Sequence, residues 1–373
     1  MDAFYASVEL LRYADLRGQP VVVGGRREQQ PVTLEDGSRR YARLRDYVGR
    51  GVITTATYEA RSLGVRSGMG VMKAARLAPE AILLPVDFDA YRHYSRLFKR
   101  AVAEIAPLIE DRGIDEIYID LEGVPGSSES IALRIKMAVR AATGLGCSIG
   151  VAPNKLLAKI CSELDKPDGI TVLLPADIGR RIWPLPVAKI NGIGPKATAR
   201  LATLGIASIG DLAGSDPSLL LEQFGRSYGR WLHEAANGID ERPVVTSSEP
   251  KSISRESTFE RDLHPVGDRS LLSGIFTGLC QQLAADLERK GYLGRTIAVK
   301  LRFDDFRTLT RGLTLPAPVA DATAIRRAAG ECLRRIPLER RIRLLGVRAE
   351  NLCRANAAPM QEAAAQGRLA LGD

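Results

Sequence analysis

The chain has 373 residues, 45% of them hydrophobic and 26% charged, which is typical of a globular protein with several domains. Its five scattered cysteines lack Cys-x-x-Cys spacing, which argues against a disulfide framework and against a zinc site. We find no membrane-length apolar run and no signal-like leader, so we expect a cytoplasmic protein without a membrane partner. The net charge of +9 predicts a polyanionic partner, and nucleic acid is the first hypothesis.

The first 86 residues predict short strands around a basic insertion. Residues 19–25 and 51–57 each predict a short buried strand. Residues 26–50 between them are polar and rich in arginine, which indicates an inserted, partly ordered excursion, although a solvated loop is the simpler interpretation. Residues 58–79 are helical in composition but are interrupted by glycines.

The next segment alternates helical and strand patterns. Periodicity predicts helices over residues 87–106, 127–143 and 154–164, a strand pair around residues 109–120, and strands over residues 147–151 and 169–173. This is the order of a ferredoxin-like βαββαβ unit whose first strand is missing. We expect the missing strand to precede residue 1.

The remainder of the chain predicts two further modules. Residues 184–243 contain short helices and glycine turns, and residues 245–250 resemble an exposed linker. Residues 251–352 predict an α/β module with strands over 296–303, 306–313 and 342–349, and helices over 268–290 and 321–335. The tail from residue 354 is rich in alanine.

The two adjacent carboxylates of Asp115 and Glu116 interrupt a strand-like run. Neighbouring like charges repel each other unless a cation or water offsets them. A divalent metal is one reason to hold two hard oxygen ligands at a strand–turn–strand junction. A solvated acidic turn is the alternative.

A glycine turn at Ile190-Asn-Gly-Ile-Gly-Pro-Lys196 predicts a helix–hairpin–helix. In such a Gly-x-Gly turn, here Gly192 to Gly194, backbone N–H groups and the following helix N-terminus can meet a phosphate, and Lys196 adds charge. This arrangement binds the nucleic-acid backbone and does not read bases. A hairpin that binds no ligand is the alternative.

Several motifs occur together in a compatible order. They are Asp2-Ala-Phe-Tyr-Ala-Ser-Val-Glu9, Thr54-Thr-Ala-Thr-Tyr-Glu-Ala-Arg61, Ile114-Asp-Glu-Ile-Tyr-Ile-Asp120, Gly150-Val-Ala-Pro-Asn-Lys155 followed by Ala158-Lys159, and Gly192-Ile-Gly194. With this set the chain resembles the Y-family DNA polymerases over nearly its whole length. Each motif alone would be a weak signal.

The resemblance implies an α+β multidomain fold shaped as a right hand. A ferredoxin-like palm would span residues 1–10 and 87–175, and small fingers would span residues 11–86 with the basic insertion at 26–50. A helix–hairpin–helix thumb would span residues 176–243 and an α/β little finger residues 244–352. Residues 353–373 would form a flexible tail.

The resemblance also implies an activity, which is template-directed, low-fidelity translesion DNA synthesis during repair of damaged DNA. In the family, palm carboxylates hold two Mg²⁺ ions, and Asp115 and Glu116 match two of these carboxylates. Tyr5 matches the aromatic residue that excludes a ribose 2′-hydroxyl, and Phe4 is expected to line the same pocket. Both aromatic side chains are equally compatible with a core position.

Further residues match the family's binding groups. Thr55, Tyr58, Arg61 and Lys155 match the residues that hold the incoming deoxynucleoside triphosphate. The tail residues Gln366, Leu369 and Leu371 look like a sliding-clamp peptide, for which a frayed terminus is the alternative. The resemblance implies primer–template DNA as partner and a monomeric enzyme.

The chain departs from the family at its start. The family's first metal-binding aspartate stands immediately before the residue that matches Met1, and Asp2 matches a different family aspartate. We therefore expect the native product to start upstream of Met1. Two alternatives remain open, a noncatalytic DNA-binding or adaptor protein and a helix–hairpin–helix nuclease.

Overall fold

The computed structural model describes residues 1–25 and 27–357. It consists of two compact units, Met1–Ser247 and a second that begins at Ser248. Both units combine helices and sheets, in agreement with the predicted α+β class. Among the described helices, none is long and apolar enough to span a membrane.

The first part of unit one is a helix followed by a small sheet. In chain order its elements are α1 (Phe4–Arg12), β1 (Val21–Gly25), β2 (Val32–Thr33), β3 (Arg39–Arg40), β4 (Ala42–Arg43), β5 (Thr55–Ala56), α2 (Tyr58–Ser62), α3 (Val71–Leu77) and β6 (Ile82–Pro85). The sheet order is β4-β6-β1-β5, with β1 parallel to β6 and antiparallel to β5. Three consecutive valines in β1 are fully buried because this strand lies inside the sheet.

The arginine-rich insertion is more ordered than a solvated loop. Strands β2 and β3 form an exposed hairpin, and β4 pairs with β6 at the edge of the sheet. The Tyr41 hydroxyl donates to Asp15 at 2.6 Å, and the Arg43 guanidinium donates to the Glu80 carbonyl at 2.6 Å. The insertion is therefore held through β4 and through side-chain hydrogen bonds to residues that precede β1 and β6, so the partly ordered alternative describes it better than a solvated loop.

The second part of unit one follows the predicted element order. It contains α4 (Phe88–Ala103), β7 (Ile109–Asp111), β8 (Ile117–Ile119), α5 (Ser128–Thr143), β9 (Ile149–Val151), α6 (Lys155–Leu164) and β10 (Ile170–Val172). Strands β7 and β8 pair antiparallel, and β9 and β10 pair parallel, as two separate two-stranded sheets. A cavity of about 670 Å³ is lined by residues of both β8 and β9. The two strands are half-buried along their length.

A helical segment completes unit one. It contains α7 (Ile178–Arg181), α8 (Pro195–Thr203), α9 (Ile209–Ala213), α10 (Pro217–Phe224) and α11 (Arg226–Ala236). The Ser208 side chain and Asp211 form a reciprocal capping box at the start of α9, which satisfies backbone N–H groups there. Leu201, Leu212 and Leu232 are fully buried in the core that joins these helices.

Unit two is a four-stranded antiparallel sheet packed against two helices. It contains β11 (Ser252–Leu263), α12 (Arg269–Lys290), β12 (Tyr292–Phe303), β13 (Thr308–Val319), α13 (Ala322–Arg334) and β14 (Ile342–Arg354), with the strand order β11-β14-β12-β13. Leu283, Val299 and Ile325 are fully buried between the helices and the sheet. Sequence patterning missed β11, because only Ile253, Phe259 and Leu263 are buried along it.

Candidate functional site

The carboxylate pair lies in the turn of a β-hairpin. Asp115 and Glu116 are half-buried in the connection between β7 and β8, so the predicted strand–turn–strand junction is present. The Arg112 N–H donates to the Glu116 carbonyl at 3.1 Å, and the N-terminal ammonium of Met1 donates to the Asp115 carbonyl at 2.8 Å. Backbone contacts therefore fix both residues at the rim of the cavity.

Helix α6 places a lysine directly on this pair. The Lys159 ammonium donates to the Glu116 carboxylate at 2.5 Å. Burial opposes the charged form of this lysine, but the hydrogen bond and the nearby charge of Glu116 outweigh it and raise the pKa of Lys159. Lys159 is therefore a fixed ammonium group beside the carboxylates. The sequence motif contains this residue, but sequence reasoning did not assign it a role.

Lys155, one helical turn earlier, makes different contacts. Its ammonium donates to the Glu110 carboxylate at 2.6 Å and to the Pro243 carbonyl at 2.6 Å. Only 10% of the Lys155 side chain and 9% of the Glu110 side chain are exposed. Lys155 therefore neutralises a buried carboxylate in this structure, and its predicted phosphate contact stays a prediction.

Both carboxylates and both lysines line the cavity between β8 and β9. Its wall is mixed, since Asp120 and Arg242 join apolar side chains such as Ile119. A cavity of this size that is lined by charged groups of both signs suits a polar organic ligand. The structure thus brings together three predicted site residues, Asp115, Glu116 and Lys155.

The predicted aromatic pair divides into two environments. Phe4 is 2% exposed and packs edge-on against Phe98, with ring centroids 6.3 Å apart, so it lies in the core. Tyr5 is half-buried and stacks on Tyr91 at 4.3 Å. Burial and the negative charge of Asp115 raise the pKa of Tyr5, and Tyr5 therefore lies within the electrostatic reach of the carboxylate pair.

Thr55, Tyr58 and Arg61 form a cluster where β5 leads into α2. The Arg61 guanidinium donates to the Ala56 carbonyl at 3.0 Å and to the Thr55 hydroxyl at 3.5 Å, and it lies 4.9 Å from the centre of the Tyr58 ring. The Tyr58 hydroxyl is buried and has no hydrogen-bond partner within the described part of the chain. A buried hydroxyl without a partner is costly unless a ligand supplies one.

Asp2 has a structural role. Its carboxylate accepts hydrogen bonds from the Ser148 hydroxyl at 2.9 Å and from the Asp168 N–H at 2.9 Å, and the residue is 6% exposed. Burial and the charge of Asp2 raise the pKa of Tyr58. Asp2 thus fixes the cavity wall at Ser148, and its oxygens are engaged by these donors.

A divalent cation fits the donor chemistry of Asp115 and Glu116, because carboxylate oxygens are the ligands that Mg²⁺ prefers. Within residues 1–25 and 27–357, no group of three or more acidic, histidine or cysteine side chains is placed to hold a metal ion. Asp115 and Glu116 alone would therefore need further ligands, such as water, to hold an ion. The predicted count of two ions stays a prediction.

The glycine turn of residues 190–196 has the predicted hairpin geometry. Gly192 has a φ of +116° and lies against the Trp231 ring, where an added Cβ would come within 2.6 Å of a ring carbon. The Tyr228 hydroxyl donates to the Gly192 carbonyl at 2.9 Å. Gly194 caps α8 without a side-chain hydrogen bond, and Lys196 in the first turn of α8 is exposed.

Part of the predicted site lies beyond the described residues. Gln366, Leu369 and Leu371 of the predicted clamp peptide fall in the last segment of the chain, past residue 357. Their role stays a prediction from the sequence.

Comparison with protein families covers most of the chain. The model described as the impB/mucB/samB family matches residues 1–163, and the model of that family's C-terminal domain matches residues 250–364. A model described as the IMS family HHH motif matches residues 175–206, which contain the glycine turn.

Individual proteins are similar over nearly the full chain. DNA polymerase IV of Methanoculleus marisnigri is 39% identical over 354 residues, which cover 94% of this chain and 92% of that protein. DNA polymerase IV of Alkalilimnicola ehrlichii is 39% identical over 359 residues, with 94% and 93% covered.

Solved structures give the same result. A Y-family DNA polymerase chimera of Dbh and Dpo4 superposes with a TM-score of 0.78 at 27% identity and covers 94% of this chain and 96% of that one. An insertion ternary complex of Dbh DNA polymerase superposes with a TM-score of 0.63, also at 27% identity and with the same coverage. With the helix–hairpin–helix and the C-terminal sheet unit in place, the chain belongs to the Y family of DNA-directed DNA polymerases.

Proposed function

We propose that this chain adds deoxynucleotides to a primer 3′ end at Asp115 and Glu116, under the direction of a template, and that it does so with low fidelity opposite damaged bases. The observation that carries the proposal is the cavity that gathers both carboxylates with the Lys159 ammonium. DNA synthesis follows from the family. The location of the reaction and the damaged template are our inference.

The incoming triphosphate would be held by groups from two elements. Lys159 on α6 and Arg61 on α2 supply the positive charge that a polyphosphate needs. The Thr55 and Tyr58 hydroxyls add hydrogen bonds, and the unpartnered buried hydroxyl of Tyr58 would gain a phosphate oxygen as its acceptor. On nucleotide binding, Lys159 would exchange the Glu116 carboxylate for a phosphate oxygen.

Asp115 and Glu116 would hold Mg²⁺, which when bound makes the primer hydroxyl more acidic and offsets the negative charge of the phosphates. The protein side of the site does the positioning. The hairpin holds both carboxylates through backbone contacts at Arg112 and Met1, and the Tyr5 ring would lie against the sugar of the bound nucleotide.

The low fidelity is supported by the family resemblance and by the small size of the segment over residues 11–86. Its helices α2 and α3 have five and seven residues, and its sheet is made of strands of two to five residues. Short elements offer little surface for closing over a base pair, so a distorted pair meets less steric opposition.

Primer–template DNA would bind through the glycine turn before α8, where Gly192, Gly194 and Lys196 are exposed. The tail residues Gln366, Leu369 and Leu371 would add a sliding clamp as second partner. Deletion of residues 366–373 tests the clamp proposal, because it should abolish clamp binding and leave the unaided extension rate unchanged.

One observation favours a second function, that of a noncatalytic DNA-binding protein. The Asp2 carboxylate is engaged by Ser148 and Asp168, so among the described residues it does not join Asp115 and Glu116 of the hairpin turn as a free third carboxylate. Such a protein would bind primer–template DNA without adding nucleotides.

Extension across a lesion tests the proposed function. Full-length protein is given a primer ending before an abasic site or before an undamaged base, with each deoxynucleotide in turn and Mg²⁺. We expect insertion at both templates and frequent mismatches on the undamaged one. Insertion that stops at the abasic site and is accurate elsewhere would refute the translesion role, and DNA binding without insertion would favour the noncatalytic protein.

A further inference from the structure

A network of three residues, Tyr5, Glu9 and Tyr91, links α1 to α4. The Tyr91 ring on α4 stacks on the Tyr5 ring with 4.3 Å between centroids and 20° between planes. The Tyr91 hydroxyl donates to the Glu9 carboxylate at 2.6 Å. Tyr5 and Glu9 lie four positions apart on α1 and so share one face of that helix. Tyr91 therefore contacts two successive turns of α1, with its ring face on one and its hydroxyl on the other.

The position of Tyr91 is fixed from several sides. The residue is fully buried, and Glu9 is 3% exposed. One turn earlier, Asp87 caps α4 by accepting from the Ala90 N–H at 3.0 Å and also accepts from Arg12 of α1 at 2.7 Å. The start of α4 is thus tied to the end of α1, and the Tyr91 side chain has little freedom to move.

Phe88 completes the aromatic cluster. Its ring meets both Tyr5 and Tyr91 edge-on, with centroids 6.1 Å and 5.9 Å away. Offset stacking and edge-to-face contacts are the favoured geometries for aromatic pairs. Tyr5 therefore has a packed wall behind one ring face and a third ring at its edge.

We propose that Tyr91 is a positioning residue for sugar selection, which supports the Tyr5 ring from behind so that it cannot retreat from a ribose 2′-hydroxyl. The inference rests on the proposed function of Tyr5 as the residue that meets the sugar. Steric exclusion requires a barrier that does not move, because an aromatic ring that can shift into empty space accommodates one extra hydroxyl. The stacked Tyr91 ring occupies the space into which Tyr5 would move.

Four variants of the full-length chain test this role: Tyr5→Ala, Tyr91→Leu, Tyr91→Phe and Tyr94→Leu. Tyr94→Leu is the matched control, because Tyr94 is on the same helix and is partly buried beside the same core. Among the described residues, the Tyr94 ring pairs with His93 and forms no aromatic pair with Tyr5. The measurement is the ratio of kcat/KM for a deoxynucleotide to that for the matching ribonucleotide in single insertions, with thermal unfolding as a check on folding.

We expect Tyr5→Ala to abolish most of the selectivity and Tyr91→Leu to lower the ratio about fivefold to tenfold, the size of effect that loss of an aromatic contact produces. Tyr91→Phe keeps the ring but loses the Glu9 hydrogen bond, so we expect a fall of about threefold. Tyr94→Leu should keep the wild-type ratio. The same ratios should appear in equilibrium nucleotide binding to the protein–DNA complex, which does not depend on turnover.

Two outcomes would overturn the inference while leaving the role of Tyr5 intact. The first is a Tyr91→Leu variant that keeps the wild-type selectivity ratio although Tyr5→Ala loses selectivity. The second is a selectivity ratio that falls equally in Tyr91→Leu and Tyr94→Leu. If Tyr91→Leu does not fold, an unchanged ratio in Tyr91→Phe overturns it. Unchanged selectivity in Tyr5→Ala would instead refute the proposed role of Tyr5 and the inference with it.

Discussion

The Lys159 ammonium lies 2.5 Å from the Glu116 carboxylate, whereas Lys155, one helical turn earlier, binds Glu110. The two lysines project from the same side of α6 because they are four positions apart. Their different partners give them different expected roles. Lys159 stands where a triphosphate would meet the carboxylate pair, and Lys155 neutralises a buried charge.

Lys159→Ala should therefore weaken nucleotide use. A charged hydrogen bond to a phosphate contributes about 1.5–3 kcal/mol, so we expect kcat/KM for a deoxynucleotide to fall about tenfold to a hundredfold in protein that remains folded. Steady-state single-nucleotide insertion measures this. Lys136→Ala is the control, because the Lys136 ammonium also pairs with a carboxylate, that of Asp168, but is not among the residues that line the cavity, and its rate should stay near wild type. Equal losses in both variants would contradict the assignment.

Lys155→Ala should mainly affect stability. The Glu110 side chain is only 9% exposed, and without Lys155 its carboxylate would keep only the more distant Arg112 guanidinium and the Val245 N–H as partners. Breaking a buried ion pair costs about 3 kcal/mol or more. Chemical denaturation of the full chain measures the loss. Lys99→Ala is the control, because Lys99 pairs with the exposed Asp111 of the same strand, and such pairs contribute about 1 kcal/mol or less. A destabilisation no larger than that of the control would show that Lys155 is not needed for folding.

The same ion pair should make stability depend on pH. Burial alone would raise the pKa of Glu110, but the Lys155 ammonium and the Val245 N–H outweigh it and lower that pKa. A carboxyl group whose pKa is lowered in the folded state stabilises the protein above its ordinary pKa of about 4.3, and this contribution is lost as pH falls through the folded value. The stability difference between wild type and Lys155→Ala should therefore be constant near neutrality and shrink below about pH 4. Denaturation curves at several pH values measure it, and a difference that grows on acidification would contradict the pairing.

The two glycines of the hairpin should respond differently to substitution. Gly192→Ala would place a Cβ 2.6 Å from the Trp231 ring at a φ of +116°. The backbone strain and the overpacking together should lower the free energy of unfolding by about 2 kcal/mol or more and should weaken DNA binding. Gly194→Ala is the matched control, since no atom lies within 4 Å of its added Cβ and its φ is −83°. Thermal unfolding and duplex binding measure both effects. Equal stability of the two variants would contradict the packed turn.

Much of the fold was accessible from the sequence because local patterns decided it. The alternation of Ile117, Tyr118 and Ile119 predicted the hairpin strand that follows the carboxylate pair, and helical periodicity predicted α4 to within three residues at each end. Strand β11 was missed, because it is stabilised by pairing with β14, about 90 residues later in the chain, and not by its own apolar pattern.

The site was only partly accessible for the same reason. Spacing put Lys155 and Lys159 on one face of α6 but did not say which one meets Glu116, because that depends on where β7 and β8 place their carboxylates. Tyr91 carried no motif that set it apart from other helical aromatic residues. Its contacts with Tyr5 and Glu9 join residues more than 80 positions apart, and tertiary packing alone brings them together.

Single-nucleotide primer extension with Mg²⁺ by wild type, Asp115→Asn and Glu116→Gln tests the central claim, that DNA synthesis takes place at this hairpin. We predict templated addition by wild type and a loss of at least about a hundredfold in each variant with unchanged DNA affinity, since both carboxylates would hold the activating cation. Asp111→Asn, on the strand before the turn, should keep the wild-type rate. The claim would be contradicted if Asp115→Asn and Glu116→Gln extended the primer at the wild-type rate. It would also be contradicted if folded wild-type protein bound primer–template DNA and added no nucleotide.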